Sequence, residues 1–63
     1  MVKLKETYKT KSGTKVTIET KTTWDWGVIY RGSNNYDYND KGEASFVIMF
    51  RGRKRSEQND IIL

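Results

Sequence analysis

Along 16–30 every second residue is apolar or threonine: Val16, Ile18, Thr20, Thr22, Trp24, Trp26, Val28 and Tyr30. A period of two puts such side chains on one face of a pleated strand. The same even parity carries Val2, Leu4 and Tyr8 before this stretch, and Tyr36, Tyr38, Ala44, Phe46, Ile48 and Phe50 after it. No comparable stretch shows the 3.6-residue spacing of a helix. Threonine, branched aliphatics and aromatics fill most positions, and these residues suit a pleated, half-buried surface. The pattern predicts strands over 2–10, 14–22, 26–31, 35–39 and 43–51, with room for the second to continue through Trp24. Gly27 is a candidate bend.

Turn chemistry sets how the strands meet. The segments 10–14 (Thr-Lys-Ser-Gly-Thr) and 39–43 (Asn-Asp-Lys-Gly-Glu) place glycine where a type I turn with a G1 bulge needs positive φ. In 31–35 (Arg-Gly-Ser-Asn-Asn), Asn34 is the residue that tolerates the left-handed region. Three-residue loops keep positions of equal parity on one side of a sheet. The expected pairs are Tyr8 with Val16, Leu4 with Thr20, Tyr30 with Tyr36, Val28 with Tyr38, Tyr38 with Ala44, and Tyr36 with Phe46. Eleven of the twelve basic residues then fall on the other parity, Lys54 being the exception. Ile29, Val47 and Met49 are the apolar residues of odd parity, which implies partial cover of the third and fifth strands on that side. Glu6 is the even-position misfit, and an edge location accommodates it.

An apolar sheet face has to be covered, and no helix is available to cover it. The expected fold is therefore all-β: a small antiparallel five-stranded barrel. The SH3-like form suits the length better than the OB-like form. The alternative is an open curled sheet completed by dimerisation. A single β domain is expected over 1–55. Residues 56–63 form a C-terminal tail in which Ile61-Ile62-Leu63 could make a short closing strand.

Length and composition narrow the classes. A chain of 63 residues buries only about 60% of its unfolded surface. It contains no cysteine, histidine or proline, so it has no disulfide framework and no common zinc site. The longest apolar run is 46–50, far short of the roughly 20 residues that span a bilayer. Residues 1–5 carry lysines but no apolar signal-peptide region. These features predict a cytoplasmic protein with no membrane partner.

Catalysis is not expected. Histidine and cysteine are missing for nucleophilic or general-base work near neutral pH, and the four serines lack a triad partner. Asp37, Asp40 and Glu43 surround a glycine turn, where carboxylates ordinarily serve the turn itself. The run 37–42 opens with the acid spacing of a calcium loop, but Lys41 takes a ligand position and Ile48 stands where the closing glutamate belongs. No glycine-rich phosphate loop is present. A non-enzymatic chain without cofactor or metal is the expectation.

Charge gives the functional signal. The net charge is +4 and the isoelectric point about 9.5, which favours anionic partners. Arg51, Arg53, Lys54 and Arg55 crowd into five residues around Gly52, and guanidinium forks match phosphate oxygens. A basic strand end also protects an edge from aggregation. Lys3, Lys5, Lys9, Lys15, Lys21 and Arg31 form an odd-side stripe, interrupted by Glu19, Asp25 and Asp37. Most of the aromatics are needed for the core. The 24–27 corner, Trp-Asp-Trp-Gly, is the exception, placed to stack bases or to anchor a protein. The leading expectation is a nucleic-acid-binding module, with Lys9, Lys15, Lys21, Arg31, Arg51, Arg53, Lys54 and Arg55 on phosphates and Trp24, Trp26 or Tyr30 stacking. Its competitor is a protein-binding adaptor or inhibitor acting through a strand edge or the 24–27 corner. A homodimer joined through the apolar face is a third reading.

Overall fold

The computed structural model describes residues 2–63; Met1 lies outside the described residues. The fold is all-β: the described residues form one antiparallel sheet of seven strands and a single 3₁₀ turn, Glu57–Asn59. The strands are β1 (Thr7–Thr10), β2 (Lys15–Trp24), β3 (Gly27–Gly32), β4 (Asp37–Tyr38), β5 (Ala44–Ile48), β6 (Gly52–Arg55) and β7 (Ile61–Ile62). Their order across the sheet is β6-β5-β4-β3-β2-β1-β7. The sheet is not closed into a barrel, and β6 and β7 are its outer strands. Among the described residues no helix is long and apolar enough to cross a membrane.

Turn residues explain the consecutive hairpins. Tyr8 pairs with Val16 across a three-residue loop closed by Gly13 at φ 90. Tyr38 pairs with Ala44 across a loop closed by Gly42 at φ 79. Both glycines hold the positive φ that the sequence assigned to them. The β3–β4 loop differs by one residue. Asn35, not Asn34, is left-handed at φ 66, and Tyr30 pairs with Tyr38 instead of Tyr36. Moving the loop along by one shifts the pairing by two, so the side-chain parity survives.

The two ends of the chain depart further from expectation. The first strand begins at Thr7, because Lys5 turns left-handed at φ 71. Leu4 therefore does not pair with Thr20, whose partner is Arg31. The turn releases Val2 to donate its amide to Asp40 O at 3.3 Å and to bury its side chain. The expected fifth strand over 43–51 is a hairpin: β5 stops at Ile48, the chain reverses through Met49-Phe50-Arg51, and β6 returns. Ile61 and Ile62 pair with Thr10 and Lys9 as the outer strand β7.

The core is built within one chain from Val2, Val16, Ile18, Tyr30, Tyr38, Ala44 and Ile61, with Tyr8, Val28 and Tyr36 packed on it. Buried tyrosines need partners for their hydroxyls. Tyr30 donates to Asp40 Oδ1 at 3.1 Å. Tyr38 donates to Asn59 O and accepts from Asn34 Nδ2, each at 2.9 Å. No buried side-chain nitrogen or oxygen among the described residues lacks a partner.

Asp60 fastens the C-terminal segment to the β5 end of the sheet. Its Oδ1 accepts the Ala44 amide at 2.6 Å, and Arg55 grips both carboxylate oxygens at 3.0 Å. Burial alone would push this carboxyl upward. The hydrogen bonds from Arg55 and the Ala44 amide, with the charges of Arg55 and Lys11, outweigh burial and hold it below its ordinary value. A depressed carboxyl contributes stability above its unfolded-state pKa and loses that contribution as pH falls through its folded one. Asp60→Ala should therefore lower stability at neutral pH by about 2 kcal/mol through the unpaired Ala44 amide. It should also flatten the acid limb of the stability–pH curve, measured by urea unfolding across pH. Gly32 has no room for a methyl group: a Cβ would lie 2.6 Å from Val16 Cγ2 and 2.9 Å from Tyr38 Cε2. Gly32→Ala should cost about 1–3 kcal/mol by overpacking, read from the shift in urea midpoint.

Candidate functional site

The β2–β3 connection decides what the second face carries. Trp24 pairs with Gly27, so the loop is only Asp25 and Trp26. A two-residue loop joins positions of opposite parity, and the register runs Thr23 with Val28, Thr22 with Ile29 and Lys21 with Tyr30. A bulge between Ile18 and Thr20 restores the other parity, and Ile18 pairs with Gly32. Ile18 thus stays in the core, while Thr20, Thr22 and Trp24 turn to the side of Ile29 and Arg31. The unbroken alternation along 16–30 is real in sequence but changes face at Glu19.

The result is a cleft of about 430 Å³ on the face opposite the core, lined by Thr20, Thr22, Trp24, Ile29, Arg31, Asp37, Val47 and Arg53. A neighbouring hollow of about 320 Å³ shares Ile29 and Arg53 and adds Trp26, Asn39, Glu43, Ser45 and Arg55. Trp24 is 53% exposed and Trp26 69%, so both indoles lie at the surface rather than in the core. Their rings are parallel within 3°, with centroids 6.3 Å apart. Each braces the other while remaining open to a planar ligand.

Arginine geometry in the cleft is set by one carboxylate. Asp37, buried in the short central strand β4, accepts Arg31 Nε at Oδ1 and Arg53 Nη1 at Oδ2, both at 2.6 Å. Arg53 Nη1 also reaches Ser45 Oγ at 3.2 Å. A carboxylate buried alone would be costly, and two guanidiniums neutralise it with charge to spare. Asp37 engages one nitrogen of each guanidinium. Arg31 Nη1 and Nη2, and Arg53 Nε and Nη2, have no protein partner among the described residues. Both arginine side chains are about half exposed. The cleft therefore presents two oriented cations, one charge of which is uncompensated.

The sequence-assigned residues divide between faces. Arg31, Arg53 and Trp24 line one cleft, and Trp26 and Arg55 line the adjoining hollow. Arg55 is occupied by Asp60, with Glu43 Oε2 at 3.8 Å. Lys9 and Lys15 are cross-strand partners on β1 and β2. Lys21 belongs to the opposite face, its Nζ 5.9 Å from the Tyr30 ring centroid. Lys54 is also on that side, opposite Phe46. Arg51 lies in the β5–β6 turn. The expected single stripe of cations is thus broken up by the parity change and by the extra hairpin. Tyr30 is core, with its hydroxyl committed to Asp40, and is not available for stacking.

The sequence placed Asp37 on this side only as an interruption of the basic stripe, and gave Thr20, Thr22 and Ser45 no part in the surface. The legible signal was the odd-parity pair Ile29 and Val47, which both line it. Among the described residues no cluster of three acidic, histidine or cysteine side chains could hold a metal. Comparison with protein families, curated proteins and solved structures finds no match.

Because both tryptophans stand at the surface, tryptophan emission should be close to that of free indole and readily quenched by acrylamide. Trp26→Ala should change unfolding free energy by less than about 1 kcal/mol. A blue-shifted, quencher-protected emission would show instead that the indoles are covered.

Proposed function

We propose that this chain is a non-enzymatic nucleic-acid-binding module whose contact surface is the Trp24–Arg31–Arg53 cleft. The observation that carries this reading is the juxtaposition of an exposed indole with two guanidiniums pre-oriented by Asp37. Arginine held in place loses less freedom on meeting a phosphate, and its free nitrogens can take two oxygens at once. A base or sugar lying against Trp24 or Trp26 adds stacking that does not depend on sequence. Lys9, Lys15 and the net charge of +4 add non-specific attraction. The competing reading is a protein partner adding a strand along β6, favoured by the exposure of all four β6 residues.

Anisotropy titration of a labelled single strand and a labelled mixed-sequence duplex, at about 50 and about 200 mM salt, separates the two. Affinity should fall steeply with salt. Arg31→Ala and Arg53→Ala should each reduce the salt slope by about one. Trp24→Ala should cost about 1–3 kcal/mol and leave the slope unchanged. If neither nucleic acid binds at the lower salt, the proposal is wrong and the β6 edge becomes the surface to pursue.

A further inference from the structure

Beyond Phe46 the β5–β6 hairpin leaves the sheet. Of the β5 residues only Ala44 and Ser45 pair with β4, and the Tyr36 ring meets Phe46 edge-on at 5.8 Å. Past that contact Val47 pairs only with Arg53, and Ile48 only with Gly52. The hairpin continues as a two-stranded ribbon that ends in Met49-Phe50-Arg51. Phe50 is 99% exposed, and it is left-handed at φ 67. Glycine or asparagine would suit that turn with less backbone strain and less apolar surface in water. An aromatic ring that buries nothing, held in a disfavoured conformation, is the kind of local cost that persists where a ligand repays it.

Charge around the tip narrows the ligand. The stretch 45–56 holds four cations and no acidic residue. Arg53 shares the Val47 face of the ribbon and Lys54 the Phe46 face, so positive charge flanks the ribbon on both sides. A second copy of the same tip would be repelled. A duplex groove is complementary: phosphates run along both walls, base edges form the floor, and apolar base faces stacked behind those edges are reached by unstacking a step. Phenylalanine and methionine side chains can wedge between base steps, unstacking them and kinking the helix.

We propose that the β5–β6 hairpin is a duplex-kinking arm, with Phe50 as the wedge and Arg51, Arg53 and Lys54 on the flanking phosphates. This rests on the nucleic-acid reading above and adds the form of nucleic acid and what is done to it. The cleft would hold backbone beside the arm, since Arg53 belongs to both.

The test uses the full chain with a duplex carrying a donor–acceptor pair at its ends and 2-aminopurine at internal steps. The native chain should shorten the end-to-end distance, consistent with a kink of about 20–90°, and raise 2-aminopurine emission. Phe50→Asn should fold with a melting temperature at or above the native value, because asparagine suits the left-handed turn. It should still bind the duplex but neither bend nor unstack it. Phe50→Leu should retain both effects. Duplex binding without bending, bending that survives Phe50→Asn, or binding of single strands alone would each overturn the arm and leave the nucleic-acid reading standing. Absence of binding to either form at low salt would remove both.

Discussion

A two-residue turn between Trp24 and Gly27 conflicts with keeping both Ile18 and Tyr30 inside. Across such a turn, paired residues have opposite parity, so without correction Ile18 would face away from the core. One extra residue in β2, at Glu19, resolves the conflict. Ile18 and Tyr30 remain on one side, and the even-numbered residues between the bulge and the turn, Thr20, Thr22 and Trp24, are rotated to the other, while Lys21 comes to the Tyr30 side. The exposed indoles and the cleft beneath them follow from that rotation. The cluster of Thr20, Thr22, Ile29, Arg31 and Val47 has the same origin.

Two buried aspartates complete the organisation. Asp60 ties β6, the start of β5 and the C-terminal strand together, in a chain too small to rely on its core alone and without a disulfide. Asp37 performs a similar task across β3, β4 and β6, and in doing so orients the two guanidiniums that face the cleft. The arginines that looked in sequence like a free basic run are thus partly structural. Arg55 is committed to Asp60, and Arg31 and Arg53 share Asp37. Arg31 and Arg53 keep donors free beyond these structural bonds, because a guanidinium has five donors and Asp37 uses one from each.

The outer hairpin follows a different logic. Its distal half leaves Val47, Met49 and Phe50 exposed, only Ile48 being half-buried, and carries an aromatic at a strained turn. Cleft and arm adjoin at Arg53. Under the two proposals above, a single ligand running along that side of the sheet would touch both the oriented arginines of the cleft and Phe50 at the tip.

Alternation of period two and the glycines at positions 13 and 42 determined, from sequence alone, an all-β chain and its first and third registers. Those are local properties, fixed by pleat geometry and by which residues tolerate positive φ. Even parity correctly marked Val2, Val16, Ile18, Tyr30, Tyr38 and Ala44 as core. It failed for Leu4, Trp24, Trp26 and Phe50, because parity identifies a face only while the register is continuous. The turn at Lys5, the bulge at Glu19 and the reversal at 49–51 each interrupt it; the first two carry no glycine or proline, and the third is closed by Gly52 at φ 87. Tertiary structure also decided which charges remain open: Asp37 lies 16 residues from Arg53 and Asp60 five from Arg55, and it is the folded sheet that brings each carboxylate to its guanidiniums. The polarity of the second face was legible in the sequence. Its division into the Asp37 cleft, the Arg55–Asp60 pair and the outer hairpin required strands from both ends of the chain to meet.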